Sequence, residues 1–77
     1  MRQTRQASTA TMEDPLARAE RFAREADRRV AEQATRVARL ERDGHWRQVG
    51  RAKELLVIFE GACQAAHYYL DRVRAQY

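Results

Sequence analysis

The stretch Arg39-Leu40-Glu41-Arg42-Asp43-Gly44-His45-Trp46-Arg47-Gln48-Val49 decides the fold, because one apolar row ends and another begins on either side of Asp43-Gly44-His45. Backward from it, Leu40, Val37, Gln33, Val30, Ala26, Ala23, Ala19 and Leu16 recur at alternating steps of three and four, with Gln33 the one polar member. Forward from it, Val49, Ala52, Leu56, Phe59, Cys63, Ala66, Leu70, Val73 and Tyr77 do the same. Such steps keep a narrow stripe on one side of an α-helix and let two helices seam together. Across the turn, Leu40 pairs with Val49, Val37 with Ala52, Val30 with Phe59, Ala26 with Cys63 and Leu16 with Val73. The two residue numbers in every pair have the same total, as one antiparallel hairpin requires. The chain is expected to be all-α: a two-helix antiparallel coiled-coil hairpin over residues 13–77, with helix one at about 14–42, a turn at 43–45 and helix two at about 46–75.

Local signals agree with that outline. Asp14 before Pro15 is a helix start, since the carboxylate accepts an orphan N–H and proline lacks one. Gly44 is suited to the left-handed residue that ends a helix. Glu20–Arg24, Glu25–Arg29 and Glu32–Arg36 place an acid four residues before a base, worth a few tenths of a kcal/mol per pair. Helix two opens without a Ser, Thr or Asp cap, so its first turn is expected to fray. Gly50 and Gly61 fall inside helix two, each costing roughly 0.5–1 kcal/mol relative to alanine. Gly61 suggests the close approach of another element, or drift.

Residues 1–12 have no apolar periodicity and are expected to form a disordered leader, with Met12 as an alternative start. Seventy-seven residues make one small domain, and a core rich in alanine buries little area per residue. The net charge of +4 is spread along the chain rather than gathered in a block of like charges. All but one of the 15 bases are arginine, a bias that genome composition explains as simply as function does. One cysteine cannot form an internal disulfide, which favours a reducing, cytoplasmic setting. No apolar run reaches the length of a membrane span.

Helix two carries a second heptad-spaced row beside its seam: Leu55, Ile58, Ala62, Ala65 and Tyr69. Phe22 is the nearest equivalent on helix one. A helix with two adjacent stripes usually has two helical neighbours, and one hairpin supplies only one. The expected cover is a second copy, giving a homodimeric four-helix bundle, or else another helical protein. Scattered surface apolar residues are the plainer alternative.

Candidate chemistry is sparse. Cys63, His67 and Asp71 lie at steps of four on one helix, but a catalytic cysteine needs an exposed, activated thiolate. Cys63 is expected to face Ala26 as a small buried apolar residue, so neither catalysis nor a metal or cofactor site is assigned. His45-Trp46 at the turn could stack on a partner. Trp46 is expected instead to fold back over the hairpin end near Leu40 and Val49. Gln33, opposite Leu56, is a candidate for fixing register, or it snorkels to solvent. The arginines on the back of helix one (Arg18, Arg21, Arg28, Arg39, Arg42) are interleaved with glutamates, which weakens any field toward phosphates.

Ala19-Glu20-Arg21, Ala38-Arg39-Leu40-Glu41-Arg42-Asp43-Gly44-His45, Ala52, Leu55-Leu56, Phe59-Glu60, His67 and Asp71-Arg72-Val73 together resemble a family of short uncharacterised alphaproteobacterial helical-hairpin proteins with an Arg-Asp-Gly-His turn. The resemblance covers about residues 13–74. The chain departs from it at Trp46-Arg47, where that family has Asp-Thr. The resemblance implies the hairpin and a bacterial cytoplasmic origin, and it carries no activity and no site residues.

The expectation is thus a non-enzymatic interaction module that associates through Phe22, Leu55, Ile58, Ala62, Ala65 and Tyr69, with Asp43, Gly44, His45 and Trp46 as its turn. The alternative is a nucleic-acid-associated basic hairpin using Trp46, Arg47 and Arg51 with an Arg2/Arg5 arm, which the spread of charge disfavours.

Overall fold

The computed structural model describes residues 14–77, so the expected leader at 1–12, Met12 and the Arg2/Arg5 arm lie outside the described residues. Two helices pack against each other as an antiparallel hairpin: α1, Pro15–Arg42, and α2, Trp46–Ala75. Asp14 caps α1 as its composition suggests, with Oδ1 accepting from the Ala17 N–H at 2.7 Å and Pro15 following at the first helical position.

The turn is a Schellman closure. Gly44 adopts φ 75°, its N–H donates to the Glu41 carbonyl at 3.1 Å, and the His45 N–H donates to the Leu40 carbonyl at 2.9 Å. Both bonds satisfy carbonyls that the end of a helix would otherwise leave orphaned. On the other side, His45 begins α2 with no side-chain cap, and its carbonyl accepts from the Gln48 N–H at 2.9 Å.

The seam is built from the two predicted rows. Ala19, Ala23, Leu70 and Val73 are buried at the open end with Leu16 packed on them, and Gln33, Val37, Val49 and Ala52 are buried toward the turn. Between these two patches Ala26, Val30, Leu56, Phe59, Cys63 and Ala66 are only half-buried. No large side chain among the described residues is fully enclosed. Tyr77, placed in the seam by its spacing, is 70% exposed, because α2 ends at Ala75 and the chain leaves the helical path before reaching it.

Gln33 does not snorkel. It is buried, and its Nε2 donates to the Ala52 carbonyl at 2.9 Å. The expected ion pairs are replaced by others: Glu25 with Arg21, Glu32 with Arg28, and, between helices, Glu41 with Lys53 at 3.1 Å and Glu20 with Arg74 at 4.0 Å. Glu25 and Glu32 each have an arginine four residues to either side, and exposed pairs of either orientation differ by only a few tenths of a kcal/mol. Spacing alone therefore does not select between them. A side chain added at Gly50 or Gly61 would meet nothing within 4 Å, so no close approach within the chain explains either glycine.

Candidate functional site

The two long edges of the hairpin differ in chemistry. Phe22 lies one residue before the seam residue Ala23, and Ala62 one before Cys63, so both fall on one edge. Asp27 lies one residue after Ala26, and His67 one after Ala66, which sends them to the opposite edge.

The first edge is apolar. Phe22, Ala26, Phe59 and Ala62, with Glu25 and Arg29 at the rim, line a groove of about 210 Å³ over the half-buried middle of the seam. The second stripe continues outward from this groove. Leu55, Ile58, Ala62, Ala65 and Tyr69 are all exposed, Ile58 at 62% and Tyr69 at 46%. Phe22 is also exposed, with the Arg21 guanidinium 5.1 Å from its ring centre. Val57 and Tyr68 add apolar area on the outer surface of α2, and the Tyr68 hydroxyl accepts from Arg72 at 3.1 Å. These last two went unnoticed in the sequence because neither belongs to a heptad row.

The second edge holds a polar cluster that the sequence pattern did not single out as a unit. Cys63 Sγ donates to Asp27 Oδ1 at 3.2 Å, and His67 Nε2 lies 2.8 Å from the same oxygen. An ionised carboxylate only accepts, so the imidazole must carry its proton on Nε2. Cys63 and His67 are one helical turn apart on α2, and Asp27 reaches them from α1. The hydrogen bond from His67, and next that from Cys63, hold the Asp27 carboxyl below its ordinary value. The hydrogen bond to Asp27, with partial burial, pushes the Cys63 thiol up. The thiol is therefore kept protonated at neutral pH, the opposite of the activation that nucleophilic chemistry needs. Asp71, the expected continuation of this row, is not part of the cluster, whose third member comes from α1. The signal available in the sequence was the pairing of Ala26 with Cys63, which sets the next residue, Asp27, diagonally across from both Cys63 and His67.

At the turn, Trp46 is 67% exposed and does not close the hairpin end over Leu40 and Val49. Its side chain stands beside Gly44, with Nε1 3.9 Å from where a Cβ would lie. Being the first residue of α2, it points back along the helix toward the turn rather than into the seam. Arg47 and Arg51 lie nearby with Arg36 of α1 around a shallow groove. No helix of the described residues is long and apolar enough to cross a membrane.

Comparison with known proteins returned nothing: no family model, no curated protein and no solved structure matches this chain.

Proposed function

We propose that the chain is a small helix-pairing module that binds a second copy of itself through the outer stripe of α2, making a four-helix bundle. The supporting observation is the uncovered row Leu55, Ile58, Ala62, Ala65 and Tyr69 on a hairpin whose own seam fully encloses no large side chain among the described residues. The row suits a two-fold axis. Laid antiparallel on itself, Ile58 of one copy meets Tyr69 of the other, and Ala62 meets Ala65, so small residues at the centre let the helices approach while large ones close each end. Full burial of a large apolar side chain contributes about 1.5–3 kcal/mol, and the two-fold counts each one twice. That is comparable with the ~3–5 kcal/mol a core of this size usually supplies. A half-buried, hydrogen-bonded lone cysteine suits a reducing compartment, so a cytoplasmic setting belongs to the same proposal.

Sedimentation across a wide concentration range tests this. The native chain is expected to run as a dimer and Ile58→Glu as a helical monomer. A native chain that stays monomeric at high micromolar concentration would refute it.

The exposed Trp46 favours one second proposal, a nucleic-acid contact at the turn end of the hairpin, where Arg36, Arg47 and Arg51 line a separate shallow groove. Binding of that kind weakens steeply with salt. Failure of the chain to retard DNA or RNA at ~50 mM salt removes it.

A further inference from the structure

We propose that Asp27, Cys63 and His67 form a three-ligand site for a divalent transition-metal ion of the zinc(II) type, held between α1 and α2 on the edge away from the self-association stripe. The donor set is one thiol sulfur, one imidazole nitrogen and one carboxylate oxygen, and all three ligand atoms lie within 4.8 Å of one another. Sulfur and nitrogen donors select zinc and its neighbours over calcium or magnesium, which take oxygen.

The geometry is close to what a tetrahedral ion needs. With metal–ligand bonds of about 2.0–2.3 Å, ligand atoms stand about 3.3–3.6 Å apart. Asp27 Oδ1 is now 3.2 Å from Cys63 Sγ and 2.8 Å from His67 Nε2, while the Cys63 and His67 donor atoms lie within 4.8 Å of each other, so the carboxylate draws back slightly and the two α2 side chains rotate about an ångström toward one another. Its side chain is 57% exposed and free to do so. Cys63 and His67 at a spacing of four residues present both donors from one face of α2, and the seam holds Asp27 against them. Exposure on this edge gives the ion an entry path and leaves a fourth position for water.

The hydrogen bonds already present mark the ion's place. Sγ–H and Nε2–H both point at the same carboxylate oxygen, and an ion at their centre replaces both protons. The thiol proton is released to solvent, while the imidazole proton is exchanged through solvent onto Nδ1 with no net loss. One divalent ion, one thiolate and one carboxylate then sum to a neutral centre, with no change of oxidation state. Glu20, Arg24 and Arg74 face the same groove. Arg74 is paired with Glu20, and Arg24 opposes the ion. Because the ligands come from both helices, an ion here ties α1 to α2 and stabilises the hairpin by mass action.

The test is titration of the reduced, full-length chain with zinc(II) and, separately, cobalt(II) under anaerobic conditions. One ion per chain is expected, with a thiolate-to-cobalt charge-transfer band, and zinc should raise the Tm. Cys63→Ser should abolish the band, and Cys63→Ser, His67→Ala and Asp27→Asn should each weaken zinc binding at least ten-fold. Far-UV circular dichroism of the metal-free variants separates loss of a ligand from loss of fold, and Asp27→Asn keeps the size of the side chain. Absence of the charge-transfer band, zinc binding by Cys63→Ser equal to the native chain, or half an ion per chain would overturn the site.

Discussion

Gln33 of α1 hydrogen-bonds through Nε2 to the backbone carbonyl of Ala52 on α2 at 2.9 Å, the one buried polar side chain among the described residues. The carbonyl has a second lone pair for this donor beyond its own helix ladder, so the bond costs α2 nothing. It also ties a position on one helix to one atom of the other, which a generic apolar seam does not do. Gln33→Ala should lose about 1–3 kcal/mol, combining the bond with a small cavity. Gln33→Leu should be neutral or more stable, yet admit alternative registers. Urea unfolding checks the first, and an extra set of amide signals in NMR spectra checks the second.

Gly44 and Gly50 should respond oppositely to alanine. At φ 75° a Cβ in Gly44 is strained whatever space surrounds it, and Gly44→Ala should destabilise by roughly 1–2 kcal/mol. Gly50 is mid-helix with open space around it, so Gly50→Ala should stabilise by roughly 0.5–1 kcal/mol. Chemical denaturation at one fixed concentration measures both. An equal sign for the two would mean that backbone conformation does not govern them.

The proposed self-association would make stability depend on concentration. The native chain should gain Tm as it is concentrated from micromolar to millimolar, since the dimer draws on the folded hairpin alone. Ile58→Glu should show a flat Tm over that range. Calorimetry at several concentrations decides between these outcomes.

The contacts of Asp27 with His67 and Cys63 have a defined pH window in the metal-free protein. Asp27 is depressed in the folded state, so its contribution is present above the ordinary carboxylate value and lost as pH falls through the lowered one. Cys63 is raised, so its contribution is present below the ordinary thiol value and lost as pH rises through the higher one. The Tm difference between the native chain and Asp27→Asn should therefore be widest near neutrality and shrink at both extremes. Alkylation of Cys63 should also reach its plateau at lower pH in Asp27→Asn than in the native chain. Identical pH–rate curves would remove Asp27 as the cause.

The seam was readable because heptad spacing is a geometric constraint on two faces at once, and every pair from Leu40–Val49 to Leu16–Val73 obeys it. The Gly44 turn was readable for a similar reason, since one residue type relieves one backbone conformation. Trp46 was not. Whether an aromatic at the start of a helix folds inward depends on space beside the turn, and no periodicity encodes that. The Asp27–Cys63–His67 cluster was hidden by a different cause. Cys63 belongs to the seam by spacing, yet its sulfur can turn toward the edge, where only a residue from the other helix gives it an acceptor. The ion pairs of Glu25 and Glu32 were ambiguous because each had two arginines at equal separation, and Glu20 found its partner, Arg74, on the other helix.

The Schellman turn also orders events in time. Leu40–Val49 is joined through a very short loop, whereas Leu16–Val73 closes the longest, and each doubling of an open loop costs about 0.6 kcal/mol. The hairpin should therefore zip from Gly44 outward and unzip from its free ends. The Ala19–Ala23–Leu70–Val73 cluster then acts as a clasp on the last segment to close. Hydrogen exchange should show amides protected longest next to the turn and shortest beyond the clasp, and a uniform profile would rule the zipper out.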